Sequence, residues 1–218
     1  MYDPEHPLSA AQLTQLLADL NPDRISNRTQ GGSKLSYVEG WDIRNSLIRV
    51  FGYGGWDADL LKAEILKVEE FKREKPLSSG QAHDYRVTAM CTFRLHIHQL
   101  GATYTEAAVS SQKGPDFGEV ADFAVKTAET DAFKRCAVNL GTTFGLSLYN
   151  SGATADTVKR TIDPEQSRIL REHQEELRRK AEEAGANPAT GVIPDEDDAP
   201  APQAVDAAQA QVAKAFAR

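Results

Sequence analysis

The 218-residue chain has a net charge of −7, 26% charged residues and two cysteines, enough for one ordinary domain plus a tail. Cys91 and Cys136 lie in no CxxC spacing, which argues against a disulfide framework or zinc site and fits a reduced, cytoplasmic protein. No apolar run is long enough for a membrane span, the N-terminus lacks the regions of a signal peptide, and the acidity excludes a generally basic nucleic-acid binder but not a basic groove on an acidic body.

Composition changes near residue 150. Residues 1–150 hold both tryptophans, both cysteines and nearly all the Phe and Tyr, whereas 151–218 hold one aromatic, Phe216. The first part can bury a core and the second mostly cannot. Three regions follow: a domain over 1–150, a charged helical extension over 151–184, and an acidic, mostly disordered tail over 185–218.

In chain order, Leu8–Leu20 reads as a short amphipathic helix with Ser9 as its N-cap and Asn21-Pro22 as its stop. Residues 24–37, with Arg24, Arg28, Gly31-Gly32 and Lys34, read as a mobile basic loop. Val38, Trp41, Leu47, Ile48 and Phe51 fall at near-helical spacing, and Gly52 stops that helix. The segment Phe51-Gly52-Tyr53-Gly54-Gly55-Trp56 offers a stacking platform for bases. Aromatics at a helix-to-strand corner more often build a core, the role expected here for Phe51, Tyr53 and Trp56.

Residues 57–71 fit both periods: Leu61, Ala63 and Ile65 alternate, while Leu61, Ile65 and Val68 suit a helix. Residues 85–97 are a half-buried strand, with Tyr85, Val87, Ala89, Cys91, Phe93, Leu95 and Ile97 on one face. Gln99-Leu100-Gly101 turns the chain into a further strand over 102–109, completing a three-stranded meander. Val120–Leu140 is an Ala-rich helix on which Lys126, Thr130 and Lys134, spaced by four, form one stripe. Pro164 opens a charged helix that runs to Ala184. Beyond it lie a linker with Asp195–Asp198 and a last stretch, Val205, Ala208, Val212, Ala215 and Phe216, spaced either as a small partner-binding helix or by chance.

Lys134-Arg135 is ordinary solvated charge if taken alone. Joined to Lys126 and Thr130 it makes a line suited to phosphates, with lysines as point charges and arginine as a fork. Arg28 and Lys34, next to two glycines, suit a loop closing over a nucleic-acid backbone. His96 and His98 share a strand face but lack a third metal ligand at recognisable spacing. Glu106 is only a guess, and partly exposed strand histidines are the expectation. The sequence contains no P-loop, nucleophile elbow, HExxH or deaminase signature, so neither an enzyme nor a cofactor or metal is expected.

Several pieces occur in one order: Ile25-Ser26-Asn27-Arg28, Gly31-Gly32, Lys34, Tyr37-Val38-Glu39-Gly40, Asn45, Phe51–Trp56, Ala128, Thr130-Asp131, Phe133-Lys134-Arg135 and Leu140-Gly141. From about residue 8 to Tyr149 the chain resembles the DNA-binding half of the Rad-fifty-two (Rad52) family of single-strand annealing proteins. The resemblance implies an α+β fold: a β-β-β-α core of a three-stranded antiparallel meander on a long helix, with N-terminal helices. It implies ring-shaped homo-oligomers with a groove for single-stranded DNA, lined by Arg28, Lys134 and Arg135, with Tyr37, Lys126 and Thr130 in or near it. Lys34 joins these from the basic segment, and Lys113 is the one candidate for a second, outer DNA site. Val138 stands where family members often carry a further arginine, and the family's long partner-binding C-terminal region is not matched.

The implied function is ATP-independent annealing of complementary strands in recombination and repair, in the cytoplasm of a bacterial or phage-infected cell. A recombinase or single-strand-binding protein is a possible partner of the tail. The alternatives are a strand-coating recombinase mediator that does not anneal, a small metal-dependent nuclease using His96, His98 and an acid, and a purely structural oligomer.

Overall fold

The computed structural model describes residues 7–30, 32–78, 80–155 and 163–183. The fold is α+β, in the order α1 (Ala10–Leu16), β1 (Ile25–Gln30), β2 (Ser33–Val38), α2 (Gly40–Phe51), β3 (Trp56–Lys72), β4 (His83–Ile97), β5 (Ala102–Gly114), α3 (Phe117–Val138) and α4 (Pro164–Glu183). A three-stranded antiparallel sheet, ordered β3-β4-β5, packs on α3, and β1 and β2 form a separate hairpin.

Ser9 caps α1 as expected. Its hydroxyl accepts from the Gln12 amide at 3.3 Å, and its own amide donates to Gln12 Oε1 at 2.8 Å, a reciprocal capping box. The Gln12 side chain also donates to the Val50 carbonyl and to Gln99 Oε1, tying α1 to the end of α2 and to the β4–β5 turn. The helix is shorter than the expected 8–20. Leu20 leaves it to enter the core, its amide held by the Thr154 carbonyl at 3.0 Å.

The expected basic loop at 24–37 is instead the β1–β2 hairpin, paired from Ile25↔Val38 to Gln30↔Ser33. Its apolar residues, Ile25, Leu35, Tyr37 and Val38, are few and lie mostly at one end, so no sustained hydrophobic alternation announced it. At its base, Arg24 Nε pairs with Asp42 Oδ2 at 2.8 Å and its guanidinium donates to Ser46 Oγ at 2.7 Å. Val38 therefore ends a strand rather than opening a helix. The buried stripe of α2 is Ile43, Leu47 and Val50, while Trp41, placed in that stripe by spacing, is 71% exposed.

The aromatic turn is divided. Phe51 and Trp56 pack against the core, but Tyr53 is 89% exposed and does not build it as expected. Gly52 (φ 81°) ends α2 in a conformation that favours glycine. A Cβ on Gly55 would lie 1.9 Å from the Phe51 carbonyl oxygen, so only glycine fits there.

Residues 57–71 are strand. β3 pairs with β4 from Trp56↔Ile97 to Lys72↔His83, with register shifts at Leu60/Lys62 and Ile65/Lys67. Each bulge inserts a residue and breaks the two-residue period, which is why this segment also fits a helix. On β4 the alternation held: Val87, Ala89, Cys91, Phe93, Leu95 and Ile97 are all buried. β5 runs on to Gly114, past the expected end at 109.

Asp116 caps α3, its carboxylate accepting from the Glu119 amide at 2.8 Å, so the helix begins three residues before Val120. Ala124, Ala128 and Ala132, four apart and fully buried, bring α3 close to the sheet. Towards its end Phe133 meets Phe93 edge-to-face at 5.4 Å, within a core that includes Leu20, Val38, Ile43, Leu47, Leu95 and Phe144. Both thiols are buried and donate to carbonyls, Cys91 to Val125 and Cys136 to Phe93. Burial raises the pKa of each.

The chain divides into two compact units, residues 1–170 and 171–218. The described part of the second is the remainder of α4, where Lys180–Glu176, Arg178–Glu182 and Arg179–Glu183 pair one turn apart. The expected tail at 185–218 and the spacing at Val205–Phe216 lie outside the described residues.

Candidate nucleic-acid interface

A groove of about 1010 Å³ lies between the β1–β2 hairpin, β5, and the end of α3 with the turns that follow it. Arg28 enters from β1, Lys34 and Tyr37 from β2, and Lys134 and Arg135 from α3. Sequence spacing alone gave no reason for the hairpin to face the helix end. The core imposes it: Val38 at the end of the hairpin is buried beside Phe133, Phe144 and Leu140.

Tyr37 organises the cations. The Arg28 guanidinium lies 5.5 Å from its ring centroid and Lys134 Nζ lies 5.0 Å from it. Two positive charges thus share one π-face system and are held in register across two elements. Desolvation and then hydrogen bonding to Glu39 raise the Tyr37 pKa, which keeps the phenol a neutral donor.

The groove is not uniformly positive. Lys134 Nζ pairs with Asp131 Oδ1 at 2.8 Å and Arg135 Nε approaches Glu106 Oε2 at 3.6 Å. Among the described residues, Arg28 and Lys34 have no carboxylate partner. Exposed apolar groups also line the groove: Leu35, paired with Arg28 across the hairpin, Val109 on β5, and Tyr149, the last 71% exposed. These three were missed. Tyr149 sits in a short 3₁₀ turn after Gly145, where an unburied aromatic outside any periodic element was the only signal available.

The stripe expected along α3 does not line the groove as a unit. Lys134 does, but Lys126 and Thr130 do not. Lys126 pairs with Asp122 at 2.7 Å one turn back, and the Thr130 methyl packs where α2 begins, 2.9 Å from a Cβ built on Gly40. The hairpin reaches only the C-terminal end of α3, while the middle of the helix meets α2. Lys113 lies four residues beyond Val109 on β5, about 13 Å along the strand. It pairs with Asp84 at 3.5 Å, and its Nζ and the Arg86 guanidinium stand 5.5 and 4.9 Å from the Phe71 ring. Val138, the departure from the family pattern, does line the groove.

His96 Nδ1 lies 2.8 Å from Thr103 Oγ1 and His98 Nε2 lies 2.7 Å from Asp57 Oδ2. The hydrogen bond from His98 holds the Asp57 carboxyl below its ordinary pKa. Glu106, the acid considered with these histidines, is the partner of Arg135 instead. Among the described residues no group of three or more His, Cys, Asp and Glu gathers as metal ligands, and no helix is long and apolar enough to cross a membrane.

Residues 9–166 match the family described as Rad52/22 family double-strand break repair protein. This chain belongs to the Rad52/22 family. It is similar to the DNA repair and recombination protein RAD52 of Saccharomyces cerevisiae, 30% identical over 154 residues that take in 69% of this chain and 30% of that protein. The corresponding protein of Kluyveromyces lactis is 33% identical over 153 residues, 69% of this chain and 33% of its own length. The DNA repair and recombination protein rti1 of Schizosaccharomyces pombe is 30% identical over 142 residues, 64% of this chain and 36% of its own. This Rad52/22 member thus spans about a third of the length of these relatives. All three are fungal, and they give no support to the bacterial or phage setting expected from sequence.

Proposed function

We propose that this Rad52/22 member binds single-stranded DNA in the groove and anneals complementary strands without hydrolysing a nucleotide. The observation that carries this is the convergence of Arg28, Lys34, Lys134 and Arg135 from a hairpin and a helix on one groove, with Tyr37 between Arg28 and Lys134. Lysines and arginines in line neutralise successive phosphates, and phosphate contacts carry no sequence information. That suits a protein that pairs any sequence with its complement. The names of the relatives, DNA repair and recombination proteins, agree with such a task.

Few cations per copy bind weakly, so the proposal includes a ring of copies that lays one strand through successive grooves and multiplies affinity. What supports assembly is that β3 and β5 are both sheet edges. The 17-residue β3 exposes Leu60, Leu61, Ile65, Leu66 and Val68, the kind of edge another strand covers. Lys126 and Thr130 extend the strand's path along α3, and Lys113 with Arg86 serves a second contact with DNA outside the groove. The DNA-binding and oligomerisation domain is assigned to 1–150, and the tail to a recombinase or single-strand-binding partner.

The decisive test is pairing of complementary oligonucleotides without ATP, together with negative-stain imaging. Accelerated pairing and closed rings are expected. Binding without acceleration would make the protein a strand-coating mediator instead.

Tyr149, exposed in the groove lining, gives one stacking surface for a base. Its replacement by alanine is expected to weaken single-strand binding about tenfold, since base–aromatic stacking contributes about 1–3 kcal/mol. The salt dependence should stay as in wild type because no charge is lost. A changed salt slope in titrations monitored by fluorescence anisotropy would assign Tyr149 to positioning the cations.

A further inference from the structure

We infer that Asp131 and Glu106 are internal competitors of the phosphate backbone, which hold Lys134 and Arg135 until a strand displaces them and keep binding weak enough for release. This rests on the proposed single-strand binding. The geometry is asymmetric: the two cations from α3 are paired with carboxylates, whereas the two from the hairpin have none among the described residues. Asp131 comes from the same helix, one turn before Lys134, and Glu106 reaches across from β5. The Lys134 and Asp131 side chains are only 18% and 28% exposed, so solvent and salt screen this pair less than one at the open surface.

A phosphate entering at Lys134 exchanges one ion pair for another and leaves Asp131 uncompensated beside it. The same holds at Arg135 and Glu106. Binding energy from these two cations is therefore partly cancelled, whereas Arg28 and Lys34 give theirs in full. An annealing protein needs this balance, because a strand gripped at full strength is not surrendered to the product duplex. The competing role, in which Asp131 and Glu106 only orient the cations, makes the opposite prediction. Loss of the carboxylate charge would then weaken binding.

The test uses Asp131→Asn and Glu106→Gln in the full chain, with a poly-dT oligonucleotide as probe. The amides keep the size and the acceptor oxygen but remove the charge. Each variant is expected to bind about fivefold tighter, the upper end for a partly exposed ion pair. Each should also steepen the log–log salt dependence by up to about 0.7, the increment for one phosphate contact to a single strand. Asp131→Glu, which restores the charge, should return affinity to the wild-type level. Unchanged or weaker binding in both amide variants, in protein whose thermal melting matches wild type, overturns the inference. If wild-type protein does not bind the probe at low salt, or Lys134→Ala and Arg135→Ala leave its binding intact, the groove assignment itself fails and the carboxylates are not at issue.

Discussion

Protein carrying Lys134→Ala and Arg135→Ala together is expected to lose single-strand affinity on the order of a hundredfold, at about 1.5 kcal/mol or more for each charge-assisted contact removed. The two cations carry the whole net positive charge of the set, because Asp131 and Glu106 stay behind. With their partners gone, these carboxylates face the strand and repel its phosphates. Arg28 and Lys34 are then balanced by two negative charges, and the groove has little net attraction left. The salt dependence should flatten along with affinity, since fewer counterions are released. Titration of a short oligonucleotide at several salt concentrations reads both quantities. Retention of wild-type affinity and slope would remove α3 from the binding surface. Folding should be little affected, because Arg135 is about half exposed and neither side chain belongs to the core.

Phe133→Ala is the largest expected stability change. The ring is fully buried, meets Phe93 edge-to-face, and is covered on one face by the Arg44 guanidinium 4.3 Å from its centroid. Removing a buried phenylalanine costs about 3–5 kcal/mol in lost transfer energy and residual cavity. Against a total of about 5–15 kcal/mol this is a large share, and at roughly 2–4 °C per kcal/mol the melting temperature should fall by about 10 °C. Urea and thermal melts measure it, and a loss below about 1 kcal/mol would contradict the core assigned here. Because Phe133 directly precedes Lys134, the variant should also loosen the cation beside Tyr37. Phe133→Leu, which keeps most of the volume, should restore much of both.

The two variants share one helical turn and show what could be read in advance. Val87 to Ile97 alternate and bury one face, and the Ala-rich run of α3 lies on that face, so sheet and helix were both legible. Local pattern carried them, because each residue's environment there depends on the period of its own element. The pair Lys134-Arg135 and the positions of Arg28, Lys34 and Tyr37 were also legible, through the order of motifs shared with the Rad52/22 family.

What the chain hid depended on contacts distant in sequence. The hairpin at 25–38 has no sustained alternation, and only cross-strand pairing and the anchoring of Val38 in the core make it a hairpin. The bulges in β3 erase its period, so pairing with β4 decides that it is a strand. Tyr53 and Trp41 are apolar by composition but exposed, because among the described residues nothing covers the turn or the first turn of α2. Lys126, Thr130 and Lys134 share a stripe by spacing, yet α2 meets the middle of the helix and the hairpin meets its end, so one stripe has two fates. Asp131 and Tyr149 complete the lining of the groove, and Glu106 reaches Arg135 from β5 without lining it. By itself the sequence determined β4, α3 and the cations. Tertiary structure alone decided which of those cations meet, and which carboxylates they meet first, because charges act over a few ångströms in space and not along the chain.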